Sequence, residues 1–410
     1  MNNRIDILQC SKDEHVKTRL KAQLAEWTAV FPPSKTASIF IKLNLNSDMN
    51  ALTGNTTDLR IVIAVIEFLK DIGYSKIVIG DGTNFGFAKN GINVIKRLNI
   101  DKVGKRYGVK VVDLNQSDGV QIDLSGVKAM VARECVETDF FINIPKLKTH
   151  FEAWMSICLK NLVGCLIGKE KRKAHVDLRK GIFHLNTAIK THLHIVDGLI
   201  AMEGFGPSRG VPVNLGTIII GKNPFYIDTL CARLAGFSAE QVPVLAYAKE
   251  AGIIEKGWDK EIDRILKDYK IIKLKPPVTN IAVKFILRSD VQRLINICRN
   301  AKWFKYLMAT GPMGWALYGL GIRQDAFSSD ALEWGGGLAA RDISRCGDCT
   351  KCADYCPLDL KLPADFNPQE CIECLYCFMV CRKNVIEFKG KLGFVEGYLK
   401  KYGETIKKIC

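Results

Sequence analysis

The 410-residue sequence predicts an α/β domain on a mainly parallel sheet with helices on both faces, followed by a small α+β cysteine-rich unit. Three observations carry this. Through residues 1–275 short apolar runs alternate with stretches of helical periodicity, as in strands that cross over to parallel neighbours. The pair Pro276-Pro277 interrupts that alternation. Past residue 341 cysteine recurs at a fixed spacing found nowhere earlier in the chain.

Taken in order, Ser38–Leu43 reads as a buried strand. Asp58 then caps a helix whose Leu59, Val62, Ile63, Ile66, Leu69 and Ile72 fall at helical spacing, with Gly73 as its stop. Lys76–Gly80 is the next strand and ends at Asp81-Gly82. Further strands are expected at Val109–Leu114, Phe140–Ile144, Leu193–Asp197 and Thr217–Ile220. Phe151–Gly168 reads as helix, and so does Phe225–Leu234, which stops near Gly236. Residues 276–340 read as a basic helical connector. Within it, residues 281–310 hold six Lys/Arg against Asp290 alone, a candidate for peripheral membrane contact; the competing reading packs this segment against the α/β body. The uncharged run 306–322 is too short to span a bilayer. Residues 341–410 form the cysteine-rich unit and a lysine-rich helical tail.

Composition is that of a globular protein, 48% hydrophobic and 25% charged. The polar start, Met1 to Lys12, has no secretory apolar stretch and predicts a cytoplasmic chain. Formal charge is +16, yet residues 341–410 hold twelve Lys/Arg and ten Asp/Glu, so the excess lies in the first 340 residues. A basic body suits an anionic partner.

The cysteines are spelled twice: Cys346-x-x-Cys349-x-x-Cys352-x-x-x-Cys356-Pro357, then Cys371-x-x-Cys374-x-x-Cys377-x-x-x-Cys381. Three thiolates two residues apart let a short loop wrap a cube and reach three of its irons. Zinc needs four ligands per ion and has no use for this repeated spacing, so the runs read as iron–sulfur ligands. They match the bacterial ferredoxin signature for two 4Fe–4S clusters. In such proteins the fourth thiolate comes from the other run. The resemblance therefore implies one cluster on Cys346, Cys349, Cys352 and Cys381, and a second on Cys371, Cys374, Cys377 and Cys356. Arg382 stands where the second run would carry proline.

In the front domain the densest polar segment is Asn143-Ile-Pro-Lys146-Leu-Lys148-Thr149-His150, read as a strand end and a basic turn that leads into the helix. Residues 146–179 hold eight Lys/Arg against three Asp/Glu, and Lys160-Asn161 interrupts an apolar run. An unpaired buried ammonium is costly, which makes Lys160 a cleft-facing candidate; a snorkelling surface lysine is the alternative. Ligands of open parallel sheets bind beyond the carboxyl ends of strands. Lys42, Asn44, Asp81, Asp197 and Glu203 are further strand-end candidates, though such acids are also ordinary turn residues. No dinucleotide fingerprint, phosphate loop, His-Glu-x-x-His or Ser/His/Asp order is present.

These stretches resemble the domain-of-unknown-function family 362. The resemblance rests on Ile41-Lys42-Leu-Asn44, Val78-Ile-Gly-Asp81, Asn143 to His150, and Lys160-Asn-Leu-Val-Gly164. It continues through Ile195-Val-Asp-Gly198, Glu203-Gly-Phe-Gly-Pro207, Ile219-Ile-Gly-Lys-Asn-Pro224 and Asp228. Leu43 departs from it, where proline is expected. Members often carry a C-terminal pair of ferredoxin motifs, so the resemblance implies this architecture.

The expected function is an iron–sulfur oxidoreductase that passes single electrons through two 4Fe–4S clusters to a small anionic substrate. Lys146, Lys148, His150 and Lys160 are expected to hold the anion, with Lys148, Lys160 or His150 supplying a proton. Lys42, Asn44, Asp81, Asn161, Asp197 and Glu203 are expected to complete the site, and an electron donor or acceptor protein is the expected partner. The alternative is an electron-transfer module whose α/β domain docks a partner enzyme. Nucleic-acid binding draws on net charge alone and lacks a binding module.

Overall fold

A computed structural model describes residues 3–10, 15–269, 271–277, 291, 328–340, 342–364 and 367–410. The membrane-contact candidate at 281–310 lies outside the described residues except for Val291, and so does Cys298.

Four strands open the chain: β1 (Ile5–Gln9), β2 (Ile39–Lys42), β3 (Ile77–Asp81) and β4 (Lys110–Asp113). A separate hairpin follows, β5 (Gly119–Asp123) with β6 (Lys128–Ala132). Then come β7 (Phe140–Asn143), β8 (Lys146–His150), β9 (Trp154–Ser156), β10 (Leu193–Glu203) and β11 (Val211–Gly221). Among the described residues these form a nine-stranded sheet in the order β1-β11-β10-β7-β2-β3-β4, with β8 joined to β10 and β9 to β8. Its centre, β10 through β4, is parallel, and β8 also runs parallel to β10. Strands β1, β11 and β9 add antiparallel edges.

Alternation along the strands sorts the core into two layers. Ile39, Ile41, Ile77, Ile79, Ile142 and Ile195 pack with α1 (Val16–Ala25) and α2 (Leu59–Asp71). Phe40, Phe141, Val196 and Ile219 point the other way, to the helices Leu178–Ala188, Pro224–Leu234 and Pro243–Glu250. Helix α2 starts and stops where its caps dictate. The Asp58 carboxylate accepts the Arg60 N–H at 2.9 Å, and Gly73 leaves the helix at φ 96°.

Two expectations need correction. Residues 151–168 are not one helix: β9 is followed by a one-turn helix, Cys158–Asn161, and a 3-10 turn, Leu162–Cys165. Lys146–His150 is a strand rather than a turn, and its pairing with β9 folds the chain back through Trp154 at φ 65°. Backbone pairing overrides the local apolar pattern here. Strands β10 and β11 each run to eleven residues because they zip together beyond the parallel core, with a register shift between Gly198 and Ile200. Asp197 therefore lies inside a strand, not at its end.

The C-terminal unit pairs β12 (Glu333–Ala340) with β13 (Ile386–Lys391) antiparallel, so its first strand precedes residue 341. Short helices Lys351–Asp354 and Tyr376–Val380 lie between them, and a 16-residue helix, Phe394–Ile409, closes the chain. That helix sits against the α/β domain: Tyr402 donates to the Gly210 carbonyl and Asn214 to the Ile409 carbonyl, both at 2.8 Å. Among the described residues no helix is long and apolar enough to cross a membrane.

Candidate functional site

The sheet register places Lys42 beside Asn143 and Asp197 beside Lys146, so charged and amide side chains gather in its interior. Lys42 is ion-paired to Asp81, whose second oxygen accepts the Leu45 N–H at 2.5 Å. Lys146 is paired to Asp197 at 2.8 Å, and both side chains are fully buried. Asp197 also accepts the N–H groups of Asp58 and Leu199, at 2.7 and 3.1 Å. Burial pushes the Asp197 carboxyl up, against Lys146. Burial opposes the charge on Asp58 too, yet Arg60, at 2.8 Å, holds its carboxyl below the usual range.

An amide chain runs alongside, and Asn161 shares the Leu43 carbonyl with Lys42. Asn44 donates to Asn161 at 2.7 Å, Asn161 to Asn143 at 2.8 Å, and Asn143 lies 3.1 Å from Nδ1 of His194. Burial drives the His194 ring down to about 3, so it sits neutral in this chain. Gly164 closes over the network: a Cβ there would meet Asp81 Oδ1 at 2.5 Å and Lys42 Nζ at 2.6 Å. That contact is the physical reason for glycine at this position.

Lys148 differs from its neighbours. Its ammonium donates to Asn44 Oδ1 at 2.8 Å and to the Asn55 carbonyl at 2.6 Å, with no carboxylate partner among the described residues. Burial, with Lys146 nearby, pushes its pKa well below that of a free lysine. The ammonium of Lys160, half-buried on the one-turn helix, makes no hydrogen bond or ion pair among the described residues; burial lowers its pKa, with Glu152 opposing. Between them, His150 accepts the N–H groups of Glu152 and Ala153 on Nδ1, each at 3.1 Å. Burial and the charges of Lys160, His175 and Lys148 push its pKa well below the usual value. The ring is held neutral, with Nε2 left to carry the proton. It stacks on Phe151, which stacks on Phe205.

The structure thus gathers Lys42, Asn44, Asp81, Lys146, Lys148, Asn161 and Asp197 into one buried network, with His150 and Lys160 at its margin. Glu203 stands apart, bonded to the Lys275 N–H at 2.9 Å. Sequence reasoning missed Arg60 and Lys171. Arg60 interrupts the apolar first half of α2, a legible signal of a buried partner. Lys171 is hidden in a basic run; it bonds Asn115 and the Leu166 carbonyl, and burial lowers it to about 8 against the pull of Asp81.

Asp228 positions the Lys160 helix by accepting the N–H groups of Cys158 and Leu159 at 2.9 and 3.0 Å. Burial raises its carboxyl to about 7, against those hydrogen bonds. A folded pKa above the unfolded value gives stability that is present at low pH and lost as pH rises through the folded pKa. Urea midpoints should therefore fall between about pH 4 and pH 7. Asp228→Asn is expected to flatten that fall, and an unchanged slope would refute the assignment.

The cysteines fall into two groups that cross the runs. Cys381 and Cys346 are the thiols whose charges act on Cys352. Cys356 acts on Cys371, Cys374 and Cys377, although Cys352 also acts on Cys377. Those four line one apolar cavity with Leu338, Leu358, Leu360 and Ile372. Glu373 and Leu375 adopt φ of 59° and 65° within that loop, and the Glu373 N–H reaches the Cys371 sulfur at 3.2 Å. The Val385 N–H reaches the Cys381 sulfur at the same distance. Burial raises the Cys352 thiol to about 11, while N–H groups aimed at the sulfurs favour the thiolates. Among the described residues no three acidic, histidine or cysteine side chains converge as a single metal ion requires. A cube offers four irons to four thiolates and needs no such convergence.

The cysteine loop is pinned to the α/β domain. Asn50 donates to the Cys374 carbonyl at 2.8 Å, the Leu59 N–H donates to the Tyr376 hydroxyl at 3.1 Å, and Arg60 lies 4.3 Å from the Tyr355 ring centre. Arg60 thus faces Asp58 on one side and the cysteine-bearing unit on the other.

Residues 39–233 match the family described as Domain of unknown function (DUF362). A thylakoid-associated protein of Synechocystis sp. is 28% identical over 223 residues, covering 50% of this chain and 66% of that protein. An uncharacterized protein of Methanocaldococcus jannaschii is 34% identical over 49 residues, 12% of this chain and 20% of the other. The chain thus spans under two thirds of the length of each. A crystal structure of a Thermotoga maritima protein aligns with a TM-score of 0.30 at 14% identity, over 48% of this chain and 53% of that one.

Proposed function

With a DUF362 domain at residues 39–233 as the premise, we propose that the chain is a cytoplasmic iron–sulfur oxidoreductase acting on a small organic anion. The observation that carries this reading is the cavity shared by Cys356, Cys371, Cys374 and Cys377, which draws one thiol from the first run and three from the second. Cys346, Cys349, Cys352 and Cys381 form the complementary set. Two 4Fe–4S clusters held this way supply single electrons at a potential set by their surroundings. The ferredoxin-like identity of the C-terminal unit belongs to this proposal.

The remaining chemistry falls to the α/β domain. Lys42 and Lys146 are already neutralised by Asp81 and Asp197, so they order the network rather than bind. The charges left for an anion are Lys160, which is half-buried, and Lys148 behind it. Lys160 meets the anion, Lys148 adds its field, and His150 donates a hydrogen bond from Nε2. Lys160, half-buried at the margin and with its pKa lowered by burial, is the proton source placed to reach the anion.

A second reading, a module whose α/β domain docks a partner enzyme, draws on the closure of the Lys42–Asp81 and Lys146–Asp197 pairs. An anaerobic screen of small carboxylates and phosphates against the iron-loaded chain separates the two. Lys160→Ala and His150→Ala should keep iron content and absorbance, and should lose anion binding about tenfold or more, the scale of one charged hydrogen bond. Undiminished binding in both variants, or none in the parent chain, favours the docking module.

A further inference from the structure

The two thiol sets differ in exposure. Cys349 is exposed, Cys346 and Cys381 are half-buried and Cys352 is buried, whereas Cys356 and Cys377 are buried, Cys371 is half-buried, and the half-buried Cys374 sits in the loop pinned by Asn50. The exposed thiol belongs to the first, outer set, while the second, inner set is tied to the body of the chain.

The surface around the outer set is cationic. Lys383 donates to the Cys346 carbonyl at 2.7 Å, which holds its ammonium over the loop. Arg382 donates to the carbonyls of Lys407 and Lys408 at 2.6 and 3.3 Å, bringing the end of the last helix to the same place. Arg345 lies in the exposed stretch between Asp342 and Cys346. The acidic groups of this loop are Asp342, engaged by the Ser344 hydroxyl, and Asp348. Ile343 is 44% exposed among them.

We propose that this rim, formed by Arg345, Arg382, Lys383, Lys407 and Lys408 around Ile343, is the docking surface for a small acidic electron-carrier protein. The proposal rests on the iron–sulfur reading above. Fixed cations steer an anionic partner and set its orientation, while an exposed apolar residue supplies the dry contact that a small-molecule reductant would not need. Lys383 on the Cys346 carbonyl puts the rim beside the outer set, and Asn50 on the Cys374 carbonyl ties the inner set to the α/β domain, so electrons run inward. One electron leaves the reduced carrier and one is taken up at the outer set, with no atom or proton transferred.

The test mixes the full-length, iron-loaded chain with a reduced acidic flavodoxin in a stopped-flow instrument. The rate should fall steeply with added salt, since exposed charges are screened within about 10 Å at 0.1 M. Arg345→Glu combined with Lys408→Glu should slow flavodoxin about tenfold or more at low salt while leaving reduction by dithionite and the iron content unchanged. Those two side chains make no hydrogen bond among the described residues, so the pair is the safer variant; Arg382→Glu with Lys383→Glu should show the same loss. A flavodoxin rate indifferent to salt and to charge reversal overturns the docking surface. So does an equal loss of the dithionite rate, which would place the effect on the thiols. A parent chain that takes up no iron removes the iron–sulfur reading itself, and this is seen before any carrier is added.

Discussion

Cys356→Ala is expected to cut the iron content of the anaerobically purified chain from about eight to about four irons, with acid-labile sulfide falling in step. The loss should fall on the site of the second run. Cys356 lies in the first run by sequence, but its thiol lines the cavity of Cys371, Cys374 and Cys377. Removing it takes the fourth thiolate from that set and leaves Cys346, Cys349, Cys352 and Cys381 whole. The counterpart, Cys381→Ala, should damage the outer set, because Cys381 acts on Cys352 across the unit. Electron paramagnetic resonance of the reduced variants distinguishes the two surviving signals. The reverse pattern, with Cys356→Ala sparing the site of the second run and Cys381→Ala sparing that of the first, would mean that each run serves its own cluster. Stoichiometric zinc in the parent chain, with no brown absorbance, would end the iron–sulfur reading altogether.

Breaking the Lys146–Asp197 pair should be the most damaging change in the α/β domain. Lys146→Ala leaves a fully buried carboxylate without its cation, a change that typically costs about 3–5 kcal/mol. The variant should become pH-dependent in a defined sense. Burial already raises the Asp197 carboxyl, and loss of Lys146 raises it further. A raised carboxyl gives stability at low pH that is lost as pH rises through the folded pKa, so Lys146→Ala should be nearest to the parent in acid and weakest above neutrality. Lys146→Met with Asp197→Asn should recover much of the loss, since the pair is then neutral and the amide oxygen still accepts one of the Asp58 and Leu199 N–H groups. Urea unfolding at pH 5 and pH 8 measures both effects. Equal midpoints for Lys146→Ala and the parent at pH 8 would show that the pair carries no such burden.

Much of the architecture was legible residue by residue. Short strands of buried isoleucine and phenylalanine, the Asp58 cap and the Gly73 stop depend on contacts within a few positions, and local sequence encodes those. The cysteine spacing was legible for the same reason, because a loop of two intervening residues fixes which thiols stand together. The sequence also marked Lys42, Asn44, Asp81, Lys146, Lys148, Asn161 and Asp197 as a polar set.

What that set becomes was decided by the sheet. The β8–β10 register pairs Lys146 with Asp197 across fifty residues and turns expected ligands into mutually satisfied partners. The same strand addition replaced the helix expected over residues 151–168 with β9 and a one-turn helix, and left Lys160 half-buried at the margin. Only tertiary structure could separate an outer thiol set from an inner one, since the two runs are nearly identical in spelling and differ in how far their thiols are exposed. Burial and pairing depend on neighbours distant in sequence, so they decide charge, proton affinity and access where composition and spacing cannot.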